Sequence, residues 1–163
     1  KATVIAGIVM LLYISLRFED VRAGGSAIIA LLHDVLVVLA SYALFRIPVN
    51  HTFIAVLLTI LGYSINSTIV IFDRVRENKE HYTVAETAQK IDKSISQTMN
   101  RSINTSLTTL FTVGAIYVLG VPSIKEFALP LMVGIVCGAY SSVCITGPLW
   151  LLLKKNIGKE QAE

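Results

Sequence analysis

Charge, cysteine and catalytic signature are what this 163-residue sequence has least of. Only 15% of it is charged, 14 basic and 11 acidic residues with a net charge of +3, and the basic residues fall in short clusters between apolar runs. A chain without a broad basic face is not expected to bind nucleic acid. Its two cysteines, Cys137 and Cys144, share one apolar run, so they read as small buried hydrophobes and say nothing of redox compartment. There is no HExxH, Walker loop, nucleophile elbow or pair of metal-binding cysteines, so no enzyme, cofactor or metal is expected. The chain opens at Lys1 without a methionine and without a charged stretch leading to a small-residue cleavage site, and it is expected to be a fragment.

What it has is hydrophobicity, 54% of residues, with a mean hydropathy of +0.68. That exceeds a soluble domain of this size and points to lipid as the solvent. A hydrocarbon core takes roughly 20 apolar residues as a helix, and the only other spanning structure is a closed barrel. Five segments qualify or nearly so, at about 2–16, 27–45, 52–72, 103–120 and 127–153, and none alternates with a strand's period of two. The expected fold is therefore all-α, a polytopic membrane bundle of five spans. The last is long enough for Pro130 and Gly147-Pro148 to tilt, kink or break it.

Lysine and arginine divide unevenly between alternate connections. Arg17, Arg22, Arg74, Arg76, Lys79, Lys90, Lys93, Arg101, Lys154, Lys155 and Lys159 fall on one side, against Lys1, Arg46 and Lys125 on the other. The positive-inside rule makes the first side cytoplasmic, so the chain begins outside and ends inside. Between the third and fourth spans, Val84, Ala88, Ile91, Ile95 and Met99 recur every three or four residues in a charged stretch. That spacing predicts an amphipathic helix over about 83–100 on the cytoplasmic face, started by a Thr83/Glu86 capping box.

Ionisable groups at membrane depth are costly and face other helices or water. His33 and Asp34 lie inside the second span, Asp34 roughly 10 Å from its start near Ala27. Two readings stay open: a carboxyl that binds and releases a proton or pairs with a cation, and a structural His-Asp pair bonded to a neighbouring helix. The third span carries a stripe of Thr59, Gly62, Tyr63, Asn66 and Asp73, with Ser67 on its flank. The fourth carries Arg101, Asn104, Thr105, Thr108 and Thr112. Such stripes serve as glue between helices, but glue does not require Arg101, which either snorkels to headgroups or faces a polar crevice. Poorly satisfied in lipid alone, they predict a partner bundle. In the last span Gly134 and Gly138 form a GxxxG for close helix approach, continued by Ser141, Ser142 and Thr146.

The run GYSINSTIVIFDRVREN over Gly62 to Asn78 resembles the signature of the SecF family of bacterial export subunits, which includes Asp73 and Arg74 at its cytoplasmic end. LLHDV at residues 31–35 and NRSINTSLTT at 100–109 support it in the family's order, so the likeness covers nearly the whole chain. The resemblance implies half of a resistance-nodulation-division transmembrane core, corresponding to the family's helices two to six, without its first helix and extracytoplasmic domain. It also implies a place in the bacterial plasma membrane and partnership with SecD, the SecYEG channel, YajC, YidC, membrane lipid and the preprotein. The work implied is drawing preproteins outward at the expense of an ion gradient, with H+ expected and Na+ the alternative. The family's motif reads Gly-Tyr-Ser-Ile-Asn-Asp, its acid implicated in coupling, and this chain has Ser67 there; a serine carries no proton at physiological pH. Arg101 matches the family. Three explanations follow: coupling is lost, Asp34 or a SecD carboxylate carries the proton, or Ser67, Asn66 and Thr105 help bind sodium. The preferred one has Asp34 and SecD titrating with Arg101, Thr105 and Thr108 beside them. Rival readings are another exporter of the superfamily and a passive anchor for an outer domain.

Overall fold

A computed structural model of the chain describes residues 21–78 and 86–160, together with Ile5, Ile8 and Val9. The expected first span, residues 2–16, lies outside the described residues except for those three, which are helical and exposed. Among the described residues there is no strand. Four helices are long and apolar enough to cross a membrane, at Arg22–Leu44, His51–Glu77, Thr87–Leu119 and Pro122–Lys154.

The first described helix, α1 (Val21–Leu44), begins before the apolar run does. Gly24 and Gly25 weaken the propensity of this turn, but Ala23 and Ala27 are buried against Phe72, Ile91 and Trp150, and that packing outweighs the glycine penalty of about 1 kcal/mol each. It ends where Arg46 takes a left-handed conformation, φ 52°, letting the Ile47 N–H reach back to the Tyr42 carbonyl. The next helix, α2 (His51–Glu77), is capped by Asn50, whose side chain accepts from the Thr52 N–H at 2.9 Å. Arg74 and Arg76 stand in its last turn, the favourable end of the helix dipole for cations.

The third helix, α3 (Thr87–Leu119), corrects the sequence reading. A surface helix over 83–100 separate from a span over 103–120 was expected; the structure merges the two into one rod of roughly 50 Å. Between Met99 and Ile103 stand Asn100, Arg101 and Ser102, none of them a glycine or proline, so nothing breaks the hydrogen-bond ladder. The face turned to the bundle is a different one, Thr87, Lys90, Ile91, Ser94, Thr98 and Ser102 being buried, while of the apolar series Ile91 is buried, Ile95 half-buried and Ala88 and Met99 exposed. Thr83 of the expected capping box lies outside the described residues.

Gly120 and Val121 turn the chain into α4 (Pro122–Ser141), which starts on a proline where a missing N–H costs nothing. A π-helical segment, Ser142–Thr146, connects it to α5 (Gly147–Glu160). Pro148 has no N–H to give to the preceding turn, and the widened turn falls just before it. The Thr146 hydroxyl donates to the Ser141 carbonyl at 3.2 Å and so takes up a carbonyl that the wider turn loosens. The long last span is therefore bulged rather than broken.

Two apolar clusters hold the bundle. One, at the end carrying Arg22, Arg74 and Lys154, joins Ala23, Ala27, Ile65, Phe72, Ile91 and Trp150, with the Phe72 and Trp150 rings edge to face at 5.7 Å. The other joins Val38, Tyr42, Val56, Ile60, Val113 and Ile135. Between them lies a polar layer.

Candidate functional site

Thirteen residues separate Asp34 from Val21 on α1, Ser64 from Glu77 on α2, and Ser141 from Lys154 on the last span, so all three lie roughly 20 Å from the basic end, near mid-membrane depth. Asp34 is deeper than the expected 10 Å because α1 starts earlier. Its side chain is fully buried, and its two oxygens face different partners. Oδ2 accepts from the Ser64 hydroxyl at 2.5 Å and from the Ser141 hydroxyl at 2.7 Å. Oδ1 accepts from the Cys137 thiol at 3.2 Å and lies 3.2 Å from His33 Nδ1. Four neighbours on three helices thus saturate one carboxyl group, which is what a low-dielectric interior demands of a buried polar group.

Helix packing makes that layer. On α4, Gly138 brings Ser64 in, since an added Cβ would stand 3.1 Å from the Ser64 Cβ. One turn away, the Ile60 side chain fills the space above Gly134, where a Cβ would land on top of it. The GxxxG that the sequence offered as a packing motif therefore aims α2's serine at α1's aspartate.

The other expected site residues lie elsewhere. Arg101, Thr105 and Thr108 are exposed on α3, as are Asn104 and Thr112, and Asn66 is exposed on α2. Each threonine satisfies its own hydroxyl: Thr105 donates to the Arg101 carbonyl at 2.8 Å, Thr108 to Asn104 at 2.9 Å, and Thr112 to Thr108 at 2.9 Å. Ser67, half-buried, donates to the Tyr63 carbonyl at 3.3 Å. The Tyr63 hydroxyl crosses to Ser106 at 3.1 Å and fastens α2 to α3 below the stripe. Only 11% of α3's apolar stretch is buried against 50% for Pro122–Lys154, so α3 is the outlying helix and its polar side looks away from the bundle. Asp34 and Arg101 are not partners: the four groups on Asp34 all come from α1, α2 and α4.

At the basic end, Arg74 donates through Nε to Gln97 at 2.8 Å and pairs with Glu77 at 2.5 Å. Asn78 donates to Ser94 at 2.8 Å and to Gln97 at 2.9 Å, tying the end of α2 to the start of α3. Asp73 is half-buried in this region. Arg74 here links two helices of one chain.

Sequence reasoning passed over Ser64 and Cys137. Ser64 stands off the Thr59–Tyr63–Asn66 stripe on α2, and Cys137 precedes the second glycine of GxxxG; the available signal was that Ser141 continues the glycine face by one turn.

Four apolar helices with polar groups settled at mid-depth define a multi-pass α-helical membrane protein. Residues 1–156 match the family described as "Protein export membrane protein SecD/SecF, C-terminal", and the chain belongs to that family. It is 50% identical to a "Protein translocase subunit SecF" of Alicyclobacillus acidocaldarius, over 98% of this chain and 52% of that protein. It is 40% identical to a "Protein translocase subunit SecDF" of Bacillus subtilis, over 99% of this chain and 22% of that one. A crystal structure of SecDF in "Super-membrane-facing form" superposes with a TM-score of 0.86 at 39% identity, covering 96% of this chain and 21% of the other. The chain spans about half the length of the SecF relative.

Proposed function

We propose that this chain is the membrane-embedded part of a SecF-type subunit that joins SecD to promote late, gradient-driven translocation of preproteins through SecYEG. The observation that carries the reading is the exposed row of Arg101, Asn104, Thr105, Thr108 and Thr112, with Asn66, on helices long enough to span the membrane. Arg101 stands where the apolar run of α3 begins, and Asn104, Thr105, Thr108 and Thr112 carry the row on into that run, where exposed polar side chains face protein or water rather than lipid. SecD supplies that face, and the carboxylate opposite Arg101 belongs to SecD, since Asp34 is enclosed on the other side of α2. H+ is the coupling ion on this reading; the Ser67 and Thr105 hydroxyls already donate to their own helices, and a sodium site would need a carboxylate they lack. The membrane is the bacterial plasma membrane, with the Arg22, Arg74 and Lys154 end in the cytoplasm.

The test is export of a slow preprotein by inverted vesicles carrying the full-length subunit with SecD, with and without an imposed proton gradient. Arg101→Ala is expected to abolish the response to the gradient while SecD still copurifies. A full response from the variant overturns the coupling role and leaves the passive anchor. Ser67→Asp is expected to leave the response unchanged; gain of a response only in that variant would return the titrating site to Ser67.

A further inference from the structure

The polar layer holds one group of atoms whose donor types go beyond what packing requires. His33 Nδ1, Asp34 Oδ1 and Cys137 Sγ lie within 4.8 Å of one another. Their separations are 3.2 Å for His33 to Asp34, 3.2 Å for Cys137 to Asp34 and 3.8 Å for Cys137 to His33. Tetrahedral zinc, with bonds of about 2.0 Å to nitrogen and oxygen and 2.3 Å to sulfur, sets its ligands roughly 3.3–3.6 Å apart. The three atoms thus stand almost where a metal would hold them, before any metal is added. We propose that His33, Asp34 and Cys137 form a binding site for a borderline-soft divalent cation of the zinc class, clamping α1 to α4 in the middle of the membrane.

Three further features fit that ligand. The Asp34 carboxylate is divided, with Oδ2 held by the Ser64 and Ser141 hydroxyls and Oδ1 turned to the thiol and imidazole; outer-shell bonds of this kind orient a ligating carboxylate. The charge balances, since a divalent ion with one thiolate, one carboxylate and a neutral imidazole is neutral overall, the condition a low-dielectric site sets. The donor set also selects. Sulfur and nitrogen suit zinc and its neighbours, whereas magnesium, calcium and sodium take oxygen. Binding forms a sulfur–metal bond, and the thiol proton leaves to solvent. His33 forms the open edge of the site, its side chain 39% exposed while that of Asp34 is 0%, which leaves a fourth ligand position on that side. The inference stands apart from the export reading, because it concerns the enclosed side of α1 and α4, away from the Arg101 row.

The full-length subunit, purified in lipid nanodiscs, is titrated with Co2+ and, against a chromophoric chelator, with Zn2+. The wild type is expected to take up one metal per subunit and to show a thiolate-to-cobalt charge-transfer band. Cys137→Ala and His33→Ala should each abolish the band and weaken Zn2+ by more than the roughly 100-fold that marks the upper end for outer-shell changes, and Ser141→Ala should weaken it about 10-fold. His33 is half-exposed, so its variant keeps the fold and remains a test if Cys137→Ala does not. Cys144→Ala, at an exposed position, should change nothing. Absence of saturable binding, a band that survives Cys137→Ala, or one lost with Cys144→Ala overturns the site.

Discussion

Two polar regions of this bundle are made of the same kinds of residue and are resolved in opposite ways. Around Asp34, an ionisable group and its hydroxyl partners are drawn from α1, α2 and α4 and turned inward until each has a neighbour in the same chain. Along α3, Arg101 and the threonines are turned outward, and the hydroxyls go no further than their own helix. The difference lies in the small residues facing them. Gly134 and Gly138 let α2 approach α4 closely enough for a serine to reach a carboxylate, whereas α3 is the outlying helix among those described, its polar face exposed. A glycine on the neighbouring helix thus finishes one polar region within the chain, and among the described residues α3 meets no such glycine along its exposed row.

The comparison breaks most sharply under substitution of its two charged members. Asp34→Leu removes the acceptor of Ser64, Ser141 and Cys137, and interhelical hydrogen bonds in membranes are worth about 0.6–1.7 kcal/mol each, so a loss of about 2–5 kcal/mol is expected in the unfolding of the purified full-length protein in bicelles. Arg101→Ala should move the same measurement by less than about 0.5 kcal/mol, as surface changes do. Equal losses would mean that the two regions are not different in kind. Next in size is Gly134→Val, whose branched side chain meets Ile60 head on; overpacking of this sort costs about 1–3 kcal/mol, and the α2–α4 contact should loosen with it. Asn78→Ala, which cuts the bonds to Ser94 and Gln97 at the basic end, should cost about 1 kcal/mol and leave the Asp34 layer intact.

These expectations also show what a sequence can and cannot carry. Four spans were legible from hydropathy, because length and apolar content are local properties of the chain. The start of α1 was not, since Gly24-Gly25 argues against a helix and only residues far along the chain, Phe72, Ile91 and Trp150, argue for it. The unbroken rod of α3 was missed because two hydrophobic patterns with different faces, one amphipathic and one spanning, were taken as two helices, although no breaker separates them. Asp34 was conspicuous as a charge in an apolar run. Its partners were not, because Ser64, Cys137 and Ser141 are small residues of ordinary type that matter only through the helix crossing. Arg101, Asn104, Thr105, Thr108 and Thr112 were gathered by period, but the period says that residues share a face and not whether that face is covered.

One buried group follows neither pattern. Tyr42 is buried near the far end of α1, its ring edge to face with Phe53 at 5.0 Å, yet its hydroxyl has no hydrogen-bond partner among the described residues. If the inward solution were universal in the bundle, this oxygen would have a donor or acceptor on a neighbouring helix. A buried hydroxyl left unpaired costs about 1–3 kcal/mol, and the ring itself keeps its packing when the oxygen is removed. Tyr42→Phe is therefore expected to raise the thermal midpoint of the isolated full-length subunit by a few degrees, since about 1 kcal/mol is worth roughly 2–4 °C in proteins of 150–250 residues. In the complex with its partner the same substitution sharpens the comparison. If the gain persists there, Tyr42 is unfinished in both states; if it turns into a loss, the hydroxyl is completed from outside, as we propose for the α3 row.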